Sequence, residues 1–153
     1  MIRPANTFDR DQAVLLLKAS RIGAGFDTPA GPTGFVFPFE AAYAARLFEH
    51  HLCAPKAYAL VHEVDGIAQG LLLATAFEHP FGPVWLAKET VWWIQPAHRG
   101  RAAILMLDAY EAWAAEQGCQ FIGMAGMGED PDVAKLYRRR GYKVAETHFL
   151  KPV

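Results

Sequence analysis

A short basic turn, His98-Arg99-Gly100-Arg101, stands between an apolar run and an amphipathic helical pattern. The run before it closes at Pro96, which has no N–H to give a ladder. Behind the turn, Ala103, Met106, Leu107, Tyr110, Trp113 and Ala114 share one face of a helical wheel. Arg101, Asp108, Glu111 and Ala115 share the other, and Gly118 is placed to stop the helix. Strand, glycine turn and helix start together present backbone N–H groups and a positive dipole end beside two arginines. That arrangement suits a phosphate or pyrophosphate. A solvated basic turn is the plainer reading of the same residues. The run Arg138 to Arg140 allows the same two readings, with a solvated helix face favoured.

A second chemical group lies on the strand before that turn. Over Val84 to Ile94, alternation puts Ala87, Glu89, Val91 and Trp93 on one face and Lys88, Thr90, Trp92 and Ile94 on the other. Glu89 is therefore a carboxylate inside an otherwise apolar strand. Burial would raise its pKa toward the range of a working base. A solvent-facing Glu89, or one paired with Lys88 or Lys56, fits the residues equally well. The histidines offer less. His50 and His51 are adjacent on a helical pattern, face different ways and are poor co-ligands, so a surface pair is expected. The others lack metal-ligand spacing, and no metal is expected. His62 and His148 are weaker base candidates, each on a strand without a visible partner. Ser20, the only serine, lies in no nucleophile elbow, and no GxGxxG follows the first strand. A serine hydrolase and a dinucleotide-binding Rossmann domain are thereby set aside.

The elements that must position these groups follow from patterning. The chain has 153 residues, 52% hydrophobic and 20% charged, which makes one globular domain over 1–153 the expectation. A net charge of −1 gives no basic field for nucleic acid, and no apolar run is long enough to span a membrane. Met1 to Ala5 carries no signal-peptide pattern, and Cys53 and Cys119 read as buried free thiols, so a cytoplasmic location is expected. Met1 to Ala5 fits an edge strand, and Asp9 or Asp11 can cap the helix that follows. Residues 23–38 form a Gly-, Pro- and Phe-rich loop whose Phe35 and Phe37, with Phe39, must pack on core or ligand. A helix over Phe39 to Leu52 comes next. Lys56 to His62 and Ile67 to Phe77 flank Asp65-Gly66, a type I′ hairpin signal, and Val84 to Ile94 completes a meander. Gln120 to Ala125 reads as a strand, Asp130-Pro131 as a helix start, and Tyr142 to Leu150 as a last strand. Strand, helix and strand across 84–125 imply a parallel pair with a right-handed crossover.

This order, with Pro96-x-His98-Arg99-Gly100-Arg101 opening the third helix, resembles the GNAT superfamily of N-acetyltransferases. Trp113-Ala114 with Gly118-Cys119, the stretch Val133 to Tyr142 (V-A-K-L-Y-R-R-R-G-Y, similar to the family's A-x-x-L-Y-x-x-x-G-F/Y), and Ile2-Arg3-Pro4-Ala5 before Asp9 carry the resemblance over nearly the whole chain. The family turn is R/Q-x-x-G-x-G/A, and here Ala102 and Ile104 stand at positions usually small. The resemblance implies a mixed α/β sheet with an antiparallel meander, a parallel strand–helix–strand unit and helices on both faces. It implies acetyl-CoA as acyl donor and direct attack by a primary amine. Arg99, Gly100, Arg101, Ala102, Ala103 and Ile104 would hold the pyrophosphate, and Ile94 would offer backbone to the pantetheine arm. Tyr137 would be the general acid and Glu89 the general base. The acceptor site would be lined by 23–52 and the last strand. Their aromatic, weakly charged character points to a small, partly apolar amine. A homodimer through the last strand is left open. The alternative is a CoA-binding or protein-interaction module with little catalysis, in which Phe35, Phe37, Phe39, Trp85, Trp92 and Trp93 form a sticky surface.

Overall fold

The computed structural model describes residues 1–127 and 131–153. Among the described residues, five strands form one mixed sheet in chain order: β1 (Ile2–Pro4), β2 (Ala57–Val64), β3 (Ile67–Glu78), β4 (Trp85–Ile94) and β5 (Phe121–Gly123). The first four pair antiparallel and β4 pairs β5 in parallel, through a crossover that carries the third helix. The β2–β3 turn has Asp65 and Gly66 both at positive φ, 50° and 79°, as a type I′ hairpin needs.

Helices α1 (Arg10–Gly23) and α2 (Ala41–Cys53) cover one face, and α3 (Arg101–Glu116) and α4 (Ala134–Arg139) the other. Ala13, Leu16 and Phe48 pack on Ala59, Val61, Leu71 and Leu73. Met106, Leu107, Tyr110 and Trp113 pack on Leu60, Leu72, Ala74 and Ala87. Adjacent residues of β2 and β3 thus feed opposite cores, as the pleat requires. The α3 face is the expected one, with Ala102 rather than Ala103 fully buried at its start.

Several expectations need correction. Simple alternation fails in β4, because the β3–β4 register slips between Leu73/Val91 and Ala74/Glu89. The extra residue is a β-bulge, and it inverts the faces beyond it. Val91 and Trp93 join the α1/α2 core, while Trp92 and Ile94 join Ala87 in the α3 core. Residues Tyr142 to Leu150 form no strand. No backbone hydrogen bond among the described residues ties 143–153 to the sheet, and Val144, Phe149 and Leu150 are exposed. β5 is only three residues long, too short an edge to template a neighbour.

The start of α1 also differs. Asn6 caps a 3₁₀ turn over Thr7–Asp9, and the Asp9 carboxylate makes no cap bond to α1. Instead Asp9 takes two 2.8 Å bonds from Arg3, which hold its carboxyl below the usual carboxylate range. Both cysteines are free, but neither is buried as expected: Cys53 is exposed and Cys119 half-buried. The expected helix start at Asp130 lies outside the described residues, and α4 begins at Ala134.

Candidate active site

The β4–β5 ladder stops early. Its last pair is Lys88 with Gly123, so β4 from Glu89 to Ile94 has β3 on one side and, among the described residues, no strand on the other. Beyond β5, Ala125 takes its backbone partners from side chains. Ala125 N donates to Glu89 Oε1 at 2.6 Å, and Tyr137 OH donates to Ala125 O at 2.8 Å. One backbone unit therefore joins the strand carboxylate and the helix phenol across the gap. Tyr110 OH donates to Gly123 O at 3.0 Å just behind them.

Burial raises the pKa of Glu89, and the Ala125 N–H opposes that only in part. Burial also raises Tyr137, and the charge of Glu89 raises it further. The two groups are electrostatically coupled, each ionised form disfavouring the other. Tyr137 is fixed by α4, which Arg140 clamps to α3. Its guanidinium donates to both Glu111 oxygens at 2.9 and 2.6 Å and to Asp108 at 2.7 Å. Arg140 is thus an interhelix anchor, not the solvated residue expected of this run.

The basic turn follows β4 through a 3₁₀ turn at Pro96–His98. Gly100 stands at the α3 N-cap with φ 85° and ψ −115°. That is a region open to glycine and strained for other residues. No atom lies within 4 Å of where its Cβ would be, so the space before the helix is open. The N–H groups of Arg101 and Ala102, at the start of α3, have no helical acceptors. Ala103 N donates back to Gly100 O at 3.1 Å. Ala102 turns into the core and Ile104 is 45% exposed, so the two non-glycine residues of the turn differ in placement. Arg99 folds back: its Nε donates to Ile94 O at 3.0 Å and its guanidinium lies 4.9 Å over the Trp93 ring. Trp93 in turn fills the space where a Gly23 Cβ would stand, 2.2 Å from its ring atoms.

On the α1/α2 face, a cleft of about 250 Å³ lies between α1, the Phe-rich loop and α2. Leu17, Phe26, Phe37, Phe39, Tyr43 and Glu40 line it. Phe26 and Phe37 meet edge to face at 4.7 Å, and Arg21 donates to the Phe37 carbonyl. These contacts tie the loop to α1, but Val36 and Phe37 remain exposed, so the expected packing of its aromatic residues is only partial. The three tryptophans of β4 do not form a common surface, since the bulge sends Trp92 and Trp93 to opposite cores.

Patterning missed three participants. Ala125 has no side chain to signal its role. Trp92 is moved by the bulge. His51, expected at the surface, is buried. Its Nδ1 lies 2.8 Å from Leu47 O, which only accepts, so Nδ1 donates and Nε2 accepts the Thr90 hydroxyl at 2.9 Å. Burial lowers its pKa and keeps it neutral. Of the weaker base candidates, His148 is far exposed beside Glu146, and His62 lies against His98 at 6.4 Å between ring centres.

The family model described as acetyltransferase (GNAT) family matches residues 27–142. No curated protein matches the chain. Solved structures of the same fold include a ribosomal-protein-alanine N-acetyltransferase from Brucella melitensis biovar Abortus (18% identity, TM-score 0.72, 100% of this chain and 99% of that one). An aminoglycoside 6′-N-acetyltransferase from Acinetobacter haemolyticus aligns equally well, at 18% identity, TM-score 0.72 and the same coverage. A predicted acetyltransferase with acetyl-CoA from Clostridium acetobutylicum reaches a TM-score of 0.75 at 16% identity, over 99% of this chain and 95% of that one. At these identities the structural likeness establishes the fold, and the family match, which spans most of the chain, establishes the lineage. The chain belongs to the GNAT family of acetyltransferases.

Proposed function

We propose that this protein, acting as a single domain, transfers an acetyl group from acetyl-CoA to a small, partly apolar primary amine. The observation that carries the reading is the meeting of Glu89 and Tyr137 on the two sides of Ala125, where β4 and β5 part. Acetyl-CoA supplies a thioester for an amine to attack. The residues present fit it. The unpaired edge of β4 offers N–H and C=O groups to the amides of a pantetheine arm, up to the Ile94 carbonyl, which Arg99 takes. The open turn at Gly100, with the first N–H groups of α3 and Arg101, offers a cradle for pyrophosphate. Arg99, stacked on Trp93, holds the turn against the end of β4.

The chemistry divides between the two coupled groups. The amine lone pair forms the N–C bond to the acyl carbon, and the nitrogen's proton passes to Glu89. The C–S bond breaks with its electron pair on sulfur, and sulfur takes the phenolic proton of Tyr137. Glu89 then returns its proton to the Tyr137 oxygen. The coupling favours this order. While Glu89 is charged it holds the phenol protonated. Once Glu89 takes the amine proton, that charge is gone and the phenol becomes a stronger acid. The aromatic cleft on the α1/α2 side, with Glu40 as its carboxylate, would take the apolar part of the acceptor.

The dispersal of Trp92 and Trp93 into two cores argues against the interaction-module alternative. The test is thiol release from acetyl-CoA with a panel of primary amines. With an amine that is turned over, Glu89→Gln should slow the reaction about 10²- to 10⁴-fold near neutral pH. Turnover by Glu89→Gln at the wild-type rate would remove Glu89 from the role.

A further inference from the structure

Two buried polar atoms on the α3 face of β4 have no partner among the described residues: Glu89 Oε2 and Trp92 Nε1. One is an acceptor and the other can only donate. The bulge makes them neighbours. Across the ladder Glu89 faces Ala74 and Trp92 faces Leu72, two positions apart on β3 and about 7 Å along the strand. Without the bulge, residues three apart would point to opposite faces. Tyr137 flanks both. Its ring centre is 6.3 Å from that of Trp92, and its hydroxyl bonds the same Ala125 that holds the other oxygen of Glu89.

Among the described residues, backbone N–H groups on the unpaired β4 edge are free, but the side-chain hydroxyls nearby and Arg99 Nε are engaged. Tyr137 OH bonds Ala125 O, Tyr110 OH bonds Gly123 O, and Arg99 Nε bonds Ile94 O. Even the neighbouring indole, Trp93 Nε1, reaches Gln95 Oε1 at 3.4 Å. Trp92 is different: its indole N–H is a buried donor without a partner, on the same face of β4 as a buried carboxylate oxygen without one. Their complement is a group with an acceptor oxygen and a donor nitrogen on one carbon. An acyl carbon under attack by an amine has that pattern, with charge developing on its oxygen.

We infer that Trp92 is the side-chain hydrogen-bond donor to the carbonyl oxygen of the transferred acyl group, the counterpart of Glu89 on the nitrogen. The assignment rests on the acetyl-transfer reading above. It makes Trp92 a catalytic residue rather than core filling. Its N–H strengthens as the oxygen gains charge, and the surrounding α3 core keeps water from competing for it.

The test follows the indole N–H resonances of the wild-type protein during titration with acetyl-CoA and, separately, with free CoA, with binding measured calorimetrically. The Trp92 resonance is assigned by its loss in Trp92→Phe. If that variant does not fold, assignment proceeds by elimination with Trp85→Phe, Trp93→Phe and Trp113→Phe. The expected result is binding of both ligands, with the Trp92 indole proton shifting downfield for acetyl-CoA and staying in place for free CoA. Folded Trp92→Phe should lose about 10²-fold in kcat with acetyl-CoA affinity retained. Binding of acetyl-CoA with an unmoved Trp92 resonance overturns the assignment alone, as does wild-type turnover by Trp92→Phe. Absence of acetyl-CoA binding at millimolar ligand overturns the acetyl-transfer reading, and this assignment with it.

Discussion

Gly100→Ala separates backbone conformation from side-chain crowding at the turn before α3. The backbone there has φ 85° and ψ −115°, while the position of the new Cβ meets nothing within 4 Å. The methyl group therefore clashes with no neighbour, and the whole cost is the strained conformation, about 1–3 kcal/mol. That cost must surface in one of two places. If the turn keeps its shape, the folded state carries the strain, and for a chain of this length Tm falls by about 2–12 °C. If the turn relaxes, the protein keeps its stability but must restore the cradle on binding, and acetyl-CoA affinity falls by about 5- to 150-fold. Thermal unfolding and calorimetric titration of the same variant read both. Gly82→Ala is the control, since it also meets no atom within 4 Å and has no positive φ. It should leave both values near wild type. Wild-type Tm together with wild-type affinity in Gly100→Ala would refute the argument that this conformation builds the cradle.

Other substitutions probe the supports. Gly23→Ala places a methyl 2.2 Å from the Trp93 ring, and the overpacking should cost about 1–3 kcal/mol in denaturant unfolding and displace Arg99 from its stack. Wild-type stability there would show that Trp93 moves freely. Arg140→Gln removes the charged bonds that tie α4 to α3, with an expected loss of about 1.5–3 kcal/mol and a looser Tyr137, checked by unfolding and by protease susceptibility of α4. Glu89→Gln should alter the pH dependence of stability. The folded pKa of Glu89 is raised, so folding favours its protonated form. That stabilisation is complete below its unfolded value of about 4.3 and is lost as pH rises through the folded value. The stability of Glu89→Gln relative to wild type should thus improve from pH 4 toward neutrality. A stability difference that stays constant, or that moves in favour of wild type as pH rises, would contradict the buried-carboxylate account.

Much of this architecture was legible in residue types. The Asp65-Gly66 turn, the apolar stripe from Met106 to Ala114 and the glycine before the helix each carry a local physical signal, and each stands where that signal puts it. What failed was non-local. The bulge between Glu89 and Val91 arises from pairing with β3, so no residue within β4 announces it, yet it decides which tryptophan meets Tyr137. His51 is buried because Thr90, 39 positions away, supplies its second partner. Asp9 looked like a helix cap, but Arg3 offers it a two-bond grip that a cap cannot match. The run from Tyr142 to Leu150 reads as a strand but finds no strand to pair with, and pairing decides the outcome. At the candidate site, Glu89, Tyr137 and the Gly100 turn could be singled out, while Ala125, which joins the first two, could not.

The central claim, that the β4 edge and the Gly100 turn form a site for acetyl-CoA, is tested most directly by calorimetric titration of the purified protein with acetyl-CoA. The account predicts saturable one-to-one binding with micromolar affinity. No heat of binding at millimolar ligand would contradict it.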